Sequence, residues 1–166
     1  MVVQEEFRDR AHEIVWCTVA TVGADHRPRS RILHPIWELT DSEPFPRDAT
    51  GTGAAAGLVG WIVTRASPVK ARHLAYSPYV SCSYWEPGHQ VAVADCHAAW
   101  IEDVATRQRA WELFRDAPAP LGYDFWSVFP TGPAGETPSL LRLTPYRLRM
   151  FDVDTLTGKK EPAAWP

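Results

Sequence analysis

Trp61-Ile-Val-Thr64-Arg-Ala-Ser67-Pro-Val-Lys70-Ala-Arg-His-Leu-Ala-Tyr-Ser-Pro78-Tyr-Val-Ser-Cys-Ser-Tyr84-Trp85 reads as a short apolar strand, a helix with a marked start and stop, and an alternating strand. Ser67 is a good N-cap, and Pro68 falls on the first helical position, the one that tolerates proline. Ala71, Leu74 and Ala75 share a face at helical spacing. Ser77-Pro78 ends the helix, because the residue before a proline is pushed out of the helical region. A helix start offers free backbone N–H groups and the positive end of the macrodipole. Thr64 and Ser67 add hydroxyls and Lys70 a full charge. A lysine in the first turn is mildly unfavourable for the helix itself, so an anion, naturally a phosphate, is one reason for its presence. The alternative is an ordinary solvated lysine beside a cap.

Upstream, Val3, Phe7, Ala11 and Ile14 form the apolar stripe of an amphipathic helix over 3–14. Val15 to Val22 is β-branched and reads as a buried strand. Gly23-Ala-Asp25-His-Arg-Pro28 is a turn cluster. A second strand is expected over 29–37, with Arg29, Arg31, Leu33 and Trp37 on one side and Ser30, Ile32, His34 and Ile36 on the other. Two arginines on one strand face can grip a single anion; a solvated polar face is the plainer reading. His34 has no second ligand at metal spacing and is read as structural or substrate-facing, so no metal site is expected. Residues 40–60, with Pro44, Pro46, Gly51 and Gly53, form an irregular surface loop. Its glycines match neither a P-loop nor a dinucleotide fingerprint.

Downstream, 86–90 is a turn and 91–102 a long strand. A helix from Thr106 to Asp116 is expected, with Thr106 as its cap. Residues 121–130 are dense in aromatics, suited to a core, a dimer contact or a ring-binding wall. A last strand runs from Leu140 to Asp152, and the tail 157–166 is expected to be loose.

The 166 residues suit one domain, 1–166. With 45% hydrophobic and 22% charged residues the chain is globular in composition, and a net charge of −3 argues against nucleic acid as a partner. No apolar run reaches membrane-span length and no signal peptide opens the chain, so no membrane partner is expected. Cys17, Cys82 and Cys96 form neither a CxxC pair nor an even framework, and are read as buried thiols in a reducing, cytoplasmic setting. Six strands and few helices give the expected fold class: mainly β (α+β), a six-stranded antiparallel split β-barrel with a few short helices.

The order of these motifs resembles the pyridoxamine 5′-phosphate oxidase-like family of FMN-binding split β-barrels. The matching pieces are Cys17-Thr-Val-Ala-Thr-Val22, Arg29-Ser-Arg31-Ile-Leu33, Val63-Thr64 with Ser67-x-x-Lys70, and His73-Leu-x-x-x-Pro78-Tyr-Val-Ser-Cys-Ser-Tyr84-Trp85. Gln90-Val-Ala-Val, Trp100-Ile-Glu-Asp and Leu143-Thr-Pro-Tyr-Arg-Leu-Arg149-Met complete it, over roughly 5–153. The resemblance implies Arg31 and Lys70 at a flavin phosphate, Thr64 and Ser67 donating to phosphate or ring edge, and Arg29, Ile32 and Val63 lining the site. It implies that Gln90 reaches the flavin from the other subunit of a homodimer, with the cofactor at the interface and a small-molecule substrate. The activity it implies is a flavin-dependent oxidoreductase. The arginine–histidine substrate element of the true vitamin B6 oxidases is missing after Leu140, so pyridoxamine phosphate is not the expected substrate. The family also contains users of the deazaflavin coenzyme F-420 and flavin- or haem-binding proteins without turnover, and the motif does not separate FMN from deazaflavin. No residue is assigned a catalytic role; His34, Tyr84, His89 and Tyr123 are the groups to inspect.

Overall fold

The computed structural model describes residues 3–40, 57–133 and 139–165. Its elements run α1 (Val3–Ile14), β1 (Cys17–Val22), β2 (Pro28–Leu33), β3 (Ile36–Leu39), β4 (Leu58–Thr64), α2 (Pro68–Tyr76), β5 (Tyr79–Trp85), β6 (Val91–Ile101), α3 (Val104–Arg115), α4 (Phe125–Val128), β7 (Ser139–Phe151), α5 (Val153–Leu156) and β8 (Ala163–Trp165). One antiparallel sheet has the strand order β2-β1-β5-β6-β7-β4-β3, with β8 added on β7.

The two ends of that order, β2 and β3, are joined by His34-Pro35 alone. Leu33 and Ile36 therefore lie within about 11 Å of each other, the reach of three residues. Strands at opposite edges of a sheet come that close only if the sheet curls until its edges nearly meet. This is a barrel with one seam, the split β-barrel expected from the sequence.

Among the described residues the strand count is eight, where six were expected. The single strand expected over 29–37 breaks in two, because Pro35 has no N–H for a ladder and biases His34 before it. Across the break the alternation is lost, and residues 34–37 are all buried. The eighth strand lies in the tail expected to be loose: Ala163–Trp165 pairs with Leu148–Met150, and Trp165 packs partly buried against the main core. The cap of α3 is also corrected. Asp103 accepts from the Thr106 backbone N–H at 2.7 Å, so Thr106 is the third helical residue and not the cap. The irregular loop expected over 40–60 lies mostly outside the described residues. Of its ends, Leu58–Gly60 belongs to β4 and Thr40 N–H donates to Gly57 C=O.

Two cores flank β4, which is why Leu58–Ile62 is buried throughout without alternation. Inside the barrel, Phe7 of α1 meets Trp37 edge-on at 5.1 Å, and Trp37 Nε1 donates to the Tyr84 hydroxyl at 2.8 Å. Outside, Trp61 and Ile36 pack with Trp111, Phe114 and Phe125 of α3 and α4, so Leu121, Phe125 and Phe129 of the aromatic-dense stretch 121–130 are buried, while Trp126 is exposed. All three cysteines are buried and free. No helix among the described residues is long and apolar enough to cross a membrane.

A side chain at Gly60 would put its Cβ 2.7 Å from the Trp37 ring, whose indole is pinned by Tyr84. Gly60→Ala is expected to destabilise the protein by about 1–3 kcal/mol, the usual cost of overpacking. Urea unfolding checks this; an unchanged midpoint would show that Trp37 is free to give way.

Candidate functional site

Helix α2 begins as its sequence dictates. Ser67 Oγ accepts from the Lys70 backbone N–H at 3.5 Å, and Pro68 fills the first position. The cap turns the Lys70 side chain back under the helix start toward the end of β4. There Lys70 Nζ donates to Thr64 Oγ1 at 2.6 Å and to the Arg65 carbonyl at 2.9 Å. The lysine is only 4% exposed and, among the described residues, has no carboxylate partner. Burial, with the Arg31 charge nearby as a lesser cause, pushes its pKa down to about 8. A buried ammonium satisfied only by neutral oxygens is an arrangement that an incoming anion would relieve.

Arg31 arrives from β2. Its Nη1 donates to Thr21 Oγ1 at 3.0 Å, across the β1–β2 hairpin. Thr21 Oγ1 also lies 3.0 Å from His73 Nδ1, and His73 stands one turn after Lys70 on α2. The helix thus touches both cations, Lys70 directly and Arg31 through Thr21.

The structure brings Arg31, Thr64, Ser67 and Lys70 together around the α2 start. Arg29 shares the strand face of Arg31, since Arg29 pairs with Thr21 and Arg31 with Val19, but its side chain is exposed. Ile32 lies on the opposite face and is 62% exposed. Val63 alternates away from Thr64 and packs partly buried against the outer core. Gln90 sits in the turn after β5, anchored by its N–H to Glu86 Oε1 at 3.1 Å. Seven residues of β5 separate the two ends, roughly 20 Å of strand, so Gln90 does not approach Lys70 within one chain.

Thr21, His73 and the Arg65 carbonyl are members of this cluster to which the sequence assigned no role, although Thr21 and His73 fall within the matching motifs. Lys70 and His73 are three apart on one helix, which was visible; their meeting with Thr21 depends on how α2 docks on β1. Of the groups inspected for chemistry, Tyr84 is fully buried in the core and His89 is exposed in a turn. His34 is packed against Trp16, Phe114 and Tyr123, and burial holds its pKa near 4. Tyr123 is pushed up to about 12 by the same cause. None of the four touches Lys70 or Arg31 among the described residues.

Two cations, a helix N-terminus and hydroxyls lie together here, a donor set whose chemistry suits an anion such as a phosphate. No metal-binding cluster of His, Cys, Asp and Glu occurs among the described residues.

No family model matches the chain, and no curated protein matches it in sequence. Solved structures do share its fold. A protein from Clostridium acetobutylicum related to general stress protein 26, of the pyridoxinephosphate oxidase family, is 12% identical with a TM-score of 0.62, covering 97% of this chain and 94% of that one. A pyridoxamine 5′-phosphate oxidase-related, FMN-binding protein from Nostoc punctiforme is 14% identical with a TM-score of 0.56, over 96% and 91%. The haem storage protein HutZ from Vibrio cholerae is 16% identical with a TM-score of 0.52, over 87% and 91%. The chain therefore has the split-barrel fold of the pyridoxamine 5′-phosphate oxidase-like proteins, a fold that serves both FMN-binding and haem-storing members.

The lysine makes its own prediction. The folded chain releases the Lys70 proton near pH 8, whereas the ordinary value is 10.5. Between these values the unfolded form binds more protons at this lysine, so Lys70 contributes stability that rises with pH across that window, against the opposite contribution of the buried Cys17 and Cys82 thiols, whose folded pKa values are raised. Below pH 8 both forms are charged and the burial penalty is constant. Lys70→Met should remove that contribution, so the variant's stability relative to the wild type falls as pH rises from 8 to 10.5, and at pH 7 it should be neutral to stabilising, by up to about 3 kcal/mol. Urea unfolding from pH 7 to 10.5 checks both; an identical slope in the variant would show that Lys70 is not the group responsible.

Proposed function

We propose that this protein is a homodimeric, FMN-binding oxidoreductase acting on a small molecule other than pyridoxamine phosphate. The observation that carries the reading is the buried Lys70 ammonium, held by Thr64 Oγ1 and the Arg65 carbonyl beside Arg31, with no carboxylate among the described residues. A flavin phosphate would supply the missing negative charge. Lys70 and Arg31 would bind it, Ser67 and the first N–H groups of α2 would orient it, and Thr64 would hold Lys70 in place. The flavin ring, when bound, supplies the hydride and electron chemistry, and the residues of this chain position it. No side chain is assigned a proton-transfer role.

The dimer reading rests on one sheet face. Outward from β2 to β7 run Ile32, Thr18, Ser83, Val93 and Arg149 as one cross-strand row, with Trp85 and Tyr79 also exposed on β5. Such a broad, partly aromatic and small-residue face is suited to a second copy, and only across such an interface would Gln90 reach a flavin.

Titration of the apoprotein with FMN and, separately, with coenzyme F-420 tests the cofactor. Tight FMN binding with weak deazaflavin binding supports the proposal; the reverse makes the protein a deazaflavin-dependent reductase; binding of neither sinks the flavin reading. Lys70→Ala is expected to weaken FMN by about 1.5–3 kcal/mol, the loss for a charge-assisted hydrogen bond, and unchanged affinity would remove Lys70 from the site. Light scattering should give a dimer. A monomer that binds FMN equally well would exclude a role for Gln90 across an interface.

A further inference from the structure

We propose that Thr21 and His73 form a buried relay that positions Arg31 for a phosphate ligand, with Gly23 as the clearance that lets the relay assemble. The inference rests on the phosphate site described above and adds its supporting layer.

Thr21 is 2% exposed and His73 9% exposed, so their polar atoms must be satisfied by protein. Thr21 Oγ1 accepts from Arg31 Nη1 at 3.0 Å and has one proton to give. Its other neighbour at 3.0 Å is His73 Nδ1. Were Nδ1 protonated, the hydroxyl oxygen would accept from both sides and its own proton would have no partner in a buried place. The arrangement that uses the hydroxyl proton is directional: Arg31 donates to Thr21, and Thr21 donates to His73 Nδ1. Each donor polarises the next bond.

The Nε2 edge of the ring lies against Gly23. A Cβ built there would come within 2.8 Å of Nε2 and 3.0 Å of Cδ2. A side chain at position 23 therefore presses on the ring edge opposite its contact with Thr21, and so acts on the relay from outside it. Gly23 begins the hairpin turn, and its neighbour Val22 closes β1 against Pro28. The same hairpin therefore delivers Arg31, Thr21 and the gap for His73.

The relay addresses a difficulty the site creates. Arg31 and Lys70 are near enough that the arginine charge lowers the lysine pKa. A free arginine would swing away from the like charge into solvent, and returning it to a ligand would cost side-chain entropy. Tied to Thr21, its guanidinium is held facing the α2 start before any ligand arrives. A valine would fill the Thr21 position as well in volume and without a hydroxyl to satisfy, so packing alone does not explain the threonine.

The test compares FMN with riboflavin, which lacks the phosphate, in fluorescence titrations. Thr21→Val and His73→Phe are expected to weaken FMN about tenfold, the worth of one hydrogen bond to a charged group, and to leave riboflavin affinity within twofold. Thr21→Ser should recover FMN affinity to within about threefold. In an Arg31→Ala background Thr21→Val should cost nothing further, because the relay acts through Arg31. Gly23→Ala, which removes no polar atom, should reproduce the selective FMN loss and serves if the valine variant does not fold. Equal losses for FMN and riboflavin, or a full tenfold loss from Thr21→Val without Arg31, would overturn the relay while leaving the flavin reading intact. A wild-type protein that binds neither FMN nor coenzyme F-420 would overturn the flavin reading and the relay with it.

Discussion

A buried ammonium with no carboxylate partner among the described residues is the constraint around which this end of the molecule is built. Lys70 lies 4% exposed against two neutral oxygens, and its depressed pKa measures what that position costs. Folding alone gives no reason to place it there, since a methionine would fit the space and need no partners. Each neighbouring choice serves the lysine. Ser67 and Pro68 set the helix start that turns its side chain inward, Thr64 ends β4 with a hydroxyl in reach, and the Arg65 carbonyl accepts from Lys70 as well as from the Ser67 N–H.

The barrel then makes the second cation available. In the sheet order, β2 and β4 are separated by β1, β5, β6 and β7, so residues on them would be far apart in a flat sheet. Curling closes that distance, enforced by the two-residue link His34-Pro35 between the edge strands. Helix α2, crossing from β4 to β5, packs on β1 and so bridges the two sides at the same mouth. The cluster is thus a property of closure: neither the helix nor the hairpin brings both cations together by itself.

What was legible in the sequence was local. The α2 cap, its proline and its stop are encoded within a dozen residues, and the structure forms them where the sequence places them. The fold class was also readable, because alternation and turn chemistry recur along the chain. The misreadings share a cause. The break at His34-Pro35 was hidden by alternation that continues on paper through a proline which cannot pair. Strand β8 was hidden because three residues carry no period, and only the waiting edge of β7 gives them a partner. Asp103 outcompeted Thr106 as a cap because a carboxylate accepts more strongly at a helix start. Thr21 and His73 were invisible because a hydroxyl on one strand and an imidazole on a helix fifty-two positions later meet only through docking.

The same distinction explains why binding is readable here and chemistry is not. Phosphate recognition needs fixed charge at a fixed place, and charge leaves signs in both sequence and structure: a lysine in the wrong turn of a helix, a lowered pKa, an arginine held before use. Flavin chemistry resides in the ring, so the protein need carry no acid–base pair to advertise it. The groups that look chemical by type, Tyr84 and His34, turn out to be held in aromatic cores. The informative residue is the one whose presence folding does not explain. By that criterion Lys70 is the centre of the proposed site, where a bound phosphate would supply a charge partner that none of the described residues provides.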